Sequence, residues 1–103
     1  MIHVIAIIEL HPGTREAFLN EFRRLIPDVH AEHGCIEYGP AVDAETDLPN
    51  QTTYGPDTVV VVEKWADLDA LKAHSVAPHM DAYRVRVKDY LRSVDLRVLD
   101  PAG

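Results

Sequence analysis

The chain has 103 residues, 47% of them hydrophobic, and a formal charge of −7. That length fits one domain, residues 1–103, whose core is just large enough to stand alone, and the composition argues against disorder. A nucleic-acid partner is set aside, because phosphate binding needs clustered cations and only Arg84, Arg86, Lys88 and Arg92 form even a loose basic group.

Cys35 is the only cysteine, so no intrachain disulfide can form; a small buried hydrophobe in a reducing compartment is the expected role. The N-terminus has no basic start and no small-residue cleavage site, and Glu9 interrupts its apolar run. Neither a signal peptide nor a membrane span is expected, which makes the cytoplasm the default location.

Residues 2–10 are rich in β-formers and apolar on both parities. Ile2, Val4, Ala6, Ile8 and Leu10 take one face, Ile5 and Ile7 the other. A strand of that kind must be covered on both sides. His11, Pro12 and Gly13 make a turn, and Thr14 is placed to cap a helix through its hydroxyl. Phe18, Phe22, Leu25, Ile26 and Val29 then recur on one helical stripe. Pro27 is expected to kink that helix and Gly34 to end it in the left-handed conformation.

Cys35 to Asp43 reads as a second strand with Ile36, Tyr38 and Val42 on one face, and Pro40 makes it an edge or a bulged strand. Residues 44–57 form a long polar loop, either a solvated hairpin tip or a functional arm. Thr58 to Trp65 is a third strand. Asp67 caps a short helix carrying Leu68 and Leu71, and Pro78 suits the first turn of another that buries Met80, Tyr83, Val87 and Tyr90. Val94, Leu96 and Val98 alternate with polar residues in a last strand, and residues 100–103 are a frayed tail.

The order β-α-β-β-α-β is the ferredoxin-like α+β arrangement, whose helices cover one sheet face only. The apolarity of residues 2–8 and 59–62 on both parities asks for a cover on the other face. A second copy of the same sheet would supply it, giving two sheets face to face in a homodimer.

Gly34-Cys35-Ile36-Glu37-Tyr38 resembles a G-C-x-x-Y signature, and Glu63-Lys64-Trp65 followed by His74 and Pro78-His79 resembles an E-x-W…H…P-H pattern. Both are similar to motifs of the antibiotic biosynthesis monooxygenase family, in particular its quinol-monooxygenase-like branch. The resemblance spans roughly residues 2–99 and implies a dimeric α+β barrel. It also implies a cofactor-independent monooxygenase acting on a small aromatic phenol or quinol and O₂, with Trp65 and His74 on the pocket wall and His79 nearby. Haem-degrading relatives carry an Asn on the first strand and a late haem-ligating His; this chain has Ile5-Ala6-Ile7 and no His after His79, so haem degradation is disfavoured.

Each candidate also has a plainer reading. His74 is a base toward a phenol or a histidine tied to a helix end. His79, in the first turn of the last helix, accepts a proton or is simply solvated. Trp65 walls a pocket or packs the core, and Glu63 is a second base or the partner of an arginine. Tyr38 and Tyr83 donate to a substrate oxygen or bond the backbone. His30 and His33, with Glu32 between them, form a conceivable metal pair but lack a third ligand, and no metal is expected. A non-catalytic small-molecule-binding barrel, or a lyase or isomerase of the same fold, would use the same pocket residues.

Overall fold

The first strand, β1 (Ile2–Leu10), is the centre of the sheet and its alternation decides what lies where. The structure, a computed structural model, describes residues 1–103. Val4, Ala6, Ile8 and Leu10 are buried on the helix side, whereas Ile5 and Ile7 are only half-buried on the other. The helix α1 (Arg15–His30) follows, then β2 (Cys35–Ala41) and β3 (Thr58–Trp65). Two more helices, α2 (Leu68–Ser75) and α3 (Pro78–Val87), lead through a 3₁₀ turn at Lys88–Tyr90 into β4 (Leu91–Leu99). The strands are all antiparallel in the order β2-β3-β1-β4, so the molecule has the ferredoxin-like α+β fold expected from the element order.

The core forms where the α1 stripe meets the sheet. Phe18, Phe22, Leu25 and Val29 lie against Val4, Val59, Val61 and Trp65, all essentially inaccessible to water. Asp67 caps α2 as expected, its Oδ1 accepting from the Ala70 N–H at 2.8 Å, and Pro78 opens α3 where a missing N–H does no harm. Met80, Tyr83 and Val87 are buried from α3, whereas Tyr90 is only partly so.

Several local expectations need correction. The Thr14 hydroxyl does not cap α1; it donates back to the His11 carbonyl at 2.8 Å. Gly34 does adopt the left-handed conformation, at φ +81°, but α1 has already stopped at His30 and a turn intervenes. Ile36 does not share a face with Tyr38, because a bulge between Cys35 and Glu37 puts Cys35 opposite Trp65 and Tyr38 opposite Glu63. That bulge aims Tyr38 inward and leaves Ile36 exposed. β2 is an edge strand, as Pro40 requires.

Residues 42–57 contain no strand, so the connection is a loop rather than a longer hairpin. It is tied from within: the Asp43 carboxylate accepts from the N–H groups of Tyr54 and Gly55, holding its pKa below the usual carboxylate range. Arg15 donates to the Gly55 carbonyl at 3.2 Å and anchors the loop to α1. At the opposite edge, Val94, Leu96 and Val98 face the same side as the helices, yet no helix reaches them, and they stay about half exposed.

Candidate functional site

The C-terminal half of β3 and the turn before β2 build one polar cluster inside an apolar shell. Glu63 and Trp65 sit two residues apart on β3, so both point to the helix side, and both are buried. Trp65 Nε1–H donates to Glu63 Oε1 at 2.9 Å. Burial first pushes the Glu63 carboxyl above the usual range, while that indole bond and His74 pull it partly back. The indole in turn carries the His74 ring, their centroids 4.6 Å apart, and Tyr38 meets the same imidazole edge-on at 5.4 Å.

His74 is held from the far side by Glu32. Its Nδ1 lies 2.9 Å from Glu32 Oε2, and His79 Nε2 lies 2.8 Å from the same oxygen. Gly34 makes this meeting possible. A Cβ at Gly34 would stand 2.6 Å from the Ala70 Cβ, so only glycine lets the turn lie flat on α2. The Ala66 N–H donates to the Gly34 carbonyl at 2.8 Å and locks the contact.

A cavity of about 230 Å³ lies between the sheet and the helices. Its walls are mostly apolar, from Ala6, Ile8 and Val61 to Leu71 and Met80, and it opens past Val94 and Leu96 on the uncovered β4 edge. Six polar side chains line it within this shell: Glu63, His74, Tyr38 and Tyr83, with Ser75 and Arg84. The hydroxyls of Tyr38 and Tyr83 and the Nε2 of His74 make no hydrogen bond within the chain, yet no sealed polar atom is left without a partner. None of the three atoms is therefore sealed off from open space, and all three residues line this cavity. Burial raises both phenols far above their ordinary range, so both are O–H donors at any physiological pH.

The residues expected at the site thus fall into three positions. His74, Glu63, Tyr38 and Tyr83 meet at the cavity, and neither tyrosine bonds the backbone through its hydroxyl. Trp65 lies behind the wall as the support of His74 and Glu63 rather than on the cavity surface. His79 is outside the cavity, on the solvent side of Glu32. His30 bonds the Tyr38 carbonyl at 3.0 Å, and Glu32 is turned toward His74 and His79, so the His30–Glu32–His33 set is drawn apart. Glu32 is the member that sequence reasoning missed: its partners lie 42 and 47 residues further on, and only the glycine at position 34 hints at a close approach.

A four-stranded antiparallel sheet with helices on one face and a cavity between the two layers places the chain among the small ferredoxin-like α+β proteins. Residues 1–86 match the family model for antibiotic biosynthesis monooxygenase, and the chain belongs to that family. It is 38% identical over 103 residues to the probable quinol monooxygenase YgiN of Escherichia coli K12, covering 98% of both chains. It is 31% identical to the putative monooxygenase YcnE of Bacillus subtilis, covering 88% of this chain and 86% of the relative. Among solved structures, Rv0793 of Mycobacterium tuberculosis superposes with a TM-score of 0.80 at 28% identity, covering 99% of this chain and 95% of that one. β4 lies beyond the residues matched by the family model but within the 98% of the chain that aligns with the E. coli relative.

Proposed function

We propose that the chain is a monooxygenase of small quinols or phenols that uses O₂ directly, without a cofactor. The observation that carries this reading is the cavity: a free imidazole nitrogen and two unpaired phenolic donors inside apolar walls. The class of chemistry comes from the family, and the substrate class from the fit of a flat ring with two oxygens to three such groups.

In this reading the substrate hydroxyl gives its proton to His74 Nε2. The resulting anion gives up an electron to O₂ far more readily than the neutral quinol does. Tyr38 and Tyr83 donate to the substrate oxygens and to the charge that develops on them. For a hydroquinone the overall change is four electrons from the ring to O₂. One oxygen atom enters the ring, giving a hydroxyquinone, and the other leaves as water with two protons. Apolar walls keep bulk water from the reactive anion.

The working unit in this proposal is a homodimer. On the outer sheet face Ile5 pairs with Val62 and Ile7 with Val60, an apolar patch that a second sheet would bury. The loop at 44–57, with Tyr54 exposed, then packs on the partner. A reducing compartment such as the cytoplasm suits Cys35, whose thiol is pushed up by burial and then by the Glu32 and Glu63 carboxylates. No helix is long and apolar enough to cross a membrane.

The test is oxygen uptake with a panel of hydroquinones, comparing the intact protein with His74→Ala. The variant should lose ~10²–10⁴-fold in turnover, the usual worth of a positioned base. If the intact protein takes up no oxygen with any quinol, the monooxygenase reading fails and a binding or isomerase role replaces it.

A further inference from the structure

Glu32 holds two imidazoles on one oxygen. A carboxylate oxygen only accepts, so His74 Nδ1 and His79 Nε2, at 2.9 and 2.8 Å, both carry hydrogens. With its hydrogen on Nδ1, a neutral His74 ring has a bare lone pair on Nε2, the nitrogen that opens on the cavity. In water a neutral imidazole favours the other tautomer, with the hydrogen on Nε2, which would present a donor where a base is needed.

We propose that Glu32 is the positioning residue that fixes His74 in the tautomer able to take a proton from a ligand, with His79 as the second donor that anchors the carboxylate. The proposal rests on the reading of His74 as the base. It gives a reason for burial to fall outward along the cluster, with side-chain exposures of 6% at His74, 13% at Glu32 and 27% at His79. The inner ring is shielded for chemistry, and the outer one closes the carboxylate off from solvent. The same logic orients metal-bound and catalytic histidines, where a carboxylate on one ring nitrogen sets what the other can do.

The remaining groups around His74 do not set its tautomer. Glu63 comes from β3 but is engaged with the Trp65 indole, and Tyr38 comes from β2 edge-on to the ring. Arg84, at the cavity mouth on α3, is turned to Asp81 and to the Ser75 carbonyl, and Cys35 has no bond to the ring. Only Glu32 touches a nitrogen of His74.

Two measurements test this. Nitrogen-15 NMR of the histidine rings in the intact protein, at a pH where His74 is neutral, should show its hydrogen on Nδ1; a hydrogen on Nε2 overturns the proposal without any variant. Kinetically, Glu32→Ala should lower kcat by about 10–100-fold while KM stays within about twofold, because Glu32 does not line the cavity. Glu32→Gln, which keeps an acceptor oxygen, should recover part of that loss. Equal activity in the Ala variant and the intact protein would overturn the proposal while leaving the monooxygenase reading standing. Absence of oxygen uptake by the intact protein would instead remove the monooxygenase reading, and the ring tautomer would still decide the role of Glu32.

Discussion

Trp65 and Glu63 are joined side chain to side chain, indole N–H to carboxyl at 2.9 Å, on the same face of one strand. Both are buried, and the indole is the only donor that the Glu63 carboxyl has within the chain. Trp65→Phe keeps most of the apolar contact with His74 but leaves the Glu63 oxygen without its donor. An orphaned buried acceptor costs about 1–3 kcal/mol, and the lost ring volume adds to it. Denaturant unfolding should therefore place Trp65→Phe at least about 2 kcal/mol below the intact protein. A double-mutant cycle with Glu63→Ala, which removes the acceptor, should show that the two losses are not additive. Additive losses would mean that the bond contributes nothing of its own.

Glu63 makes a second prediction, in pH. Its carboxyl is raised in the folded protein, first by burial. A raised group is neutral and undemanding below its unfolded value near 4.5, and the folded state loses stability as pH climbs through the higher folded pKa. Glu63→Gln has no such titration. The stability difference between Glu63→Gln and the intact protein should therefore move in favour of Gln between pH 4 and pH 8. A pH-independent difference would show that the carboxyl titrates alike in both states.

Much of this was legible in the chain itself. Runs of β-forming residues at 2–10 and 58–65 mark both central strands, and pleating then puts Glu63 and Trp65, two residues apart, on one face. The Asp67 cap and Pro78 start were likewise local chemistry. What escaped was whatever depends on an inserted residue or on a contact distant in sequence. The bulge at Cys35–Glu37 reverses the parity of β2, so Ile36 and Tyr38 part company. Glu32 reaches His74 only after the turn has settled on α2, and no pattern around residue 32 announces it. Trp65 was placed at the cavity by resemblance, whereas packing sets it one layer behind.

The outer sheet face gives a third prediction. Ile5, Ile7, Val60 and Val62 form a contiguous apolar patch by register, flanked by the Lys64–Glu37 pair at 3.0 Å and the Arg97–Asp95 pair at 2.9 Å. In the proposed dimer, Val62→Lys would bury an unpaired ammonium beside its own symmetry mate or close to it. Light scattering at micromolar concentration should give a dimer mass for the intact protein and a monomer mass for Val62→Lys. A monomeric intact protein would remove the dimer from the proposal.

Gly34 supplies the last prediction, because two separate constraints fall on it. Its φ of +81° lies where side-chain-bearing residues are strained, and an added Cβ would sit 2.6 Å from the Ala70 Cβ. The first constraint is worth about 1–2 kcal/mol and the second about 1–3 kcal/mol, since a methyl on a helix has little room to retreat. Gly34→Ala should thus lose ~2–5 kcal/mol in denaturant unfolding. The strain has a direction as well, pushing the turn away from α2. Glu32 stands on that turn and His74 on α2, so their 2.9 Å contact should lengthen. Ala70→Gly opens room where the new methyl would go, relieving the clash but not the backbone strain. The double variant Gly34→Ala, Ala70→Gly should therefore recover the His74 ring signal of the intact protein, even though its stability stays low. If instead Gly34→Ala alone leaves that ring signal unchanged, the glycine serves the backbone conformation only, and the approach of Glu32 to His74 is set by something else.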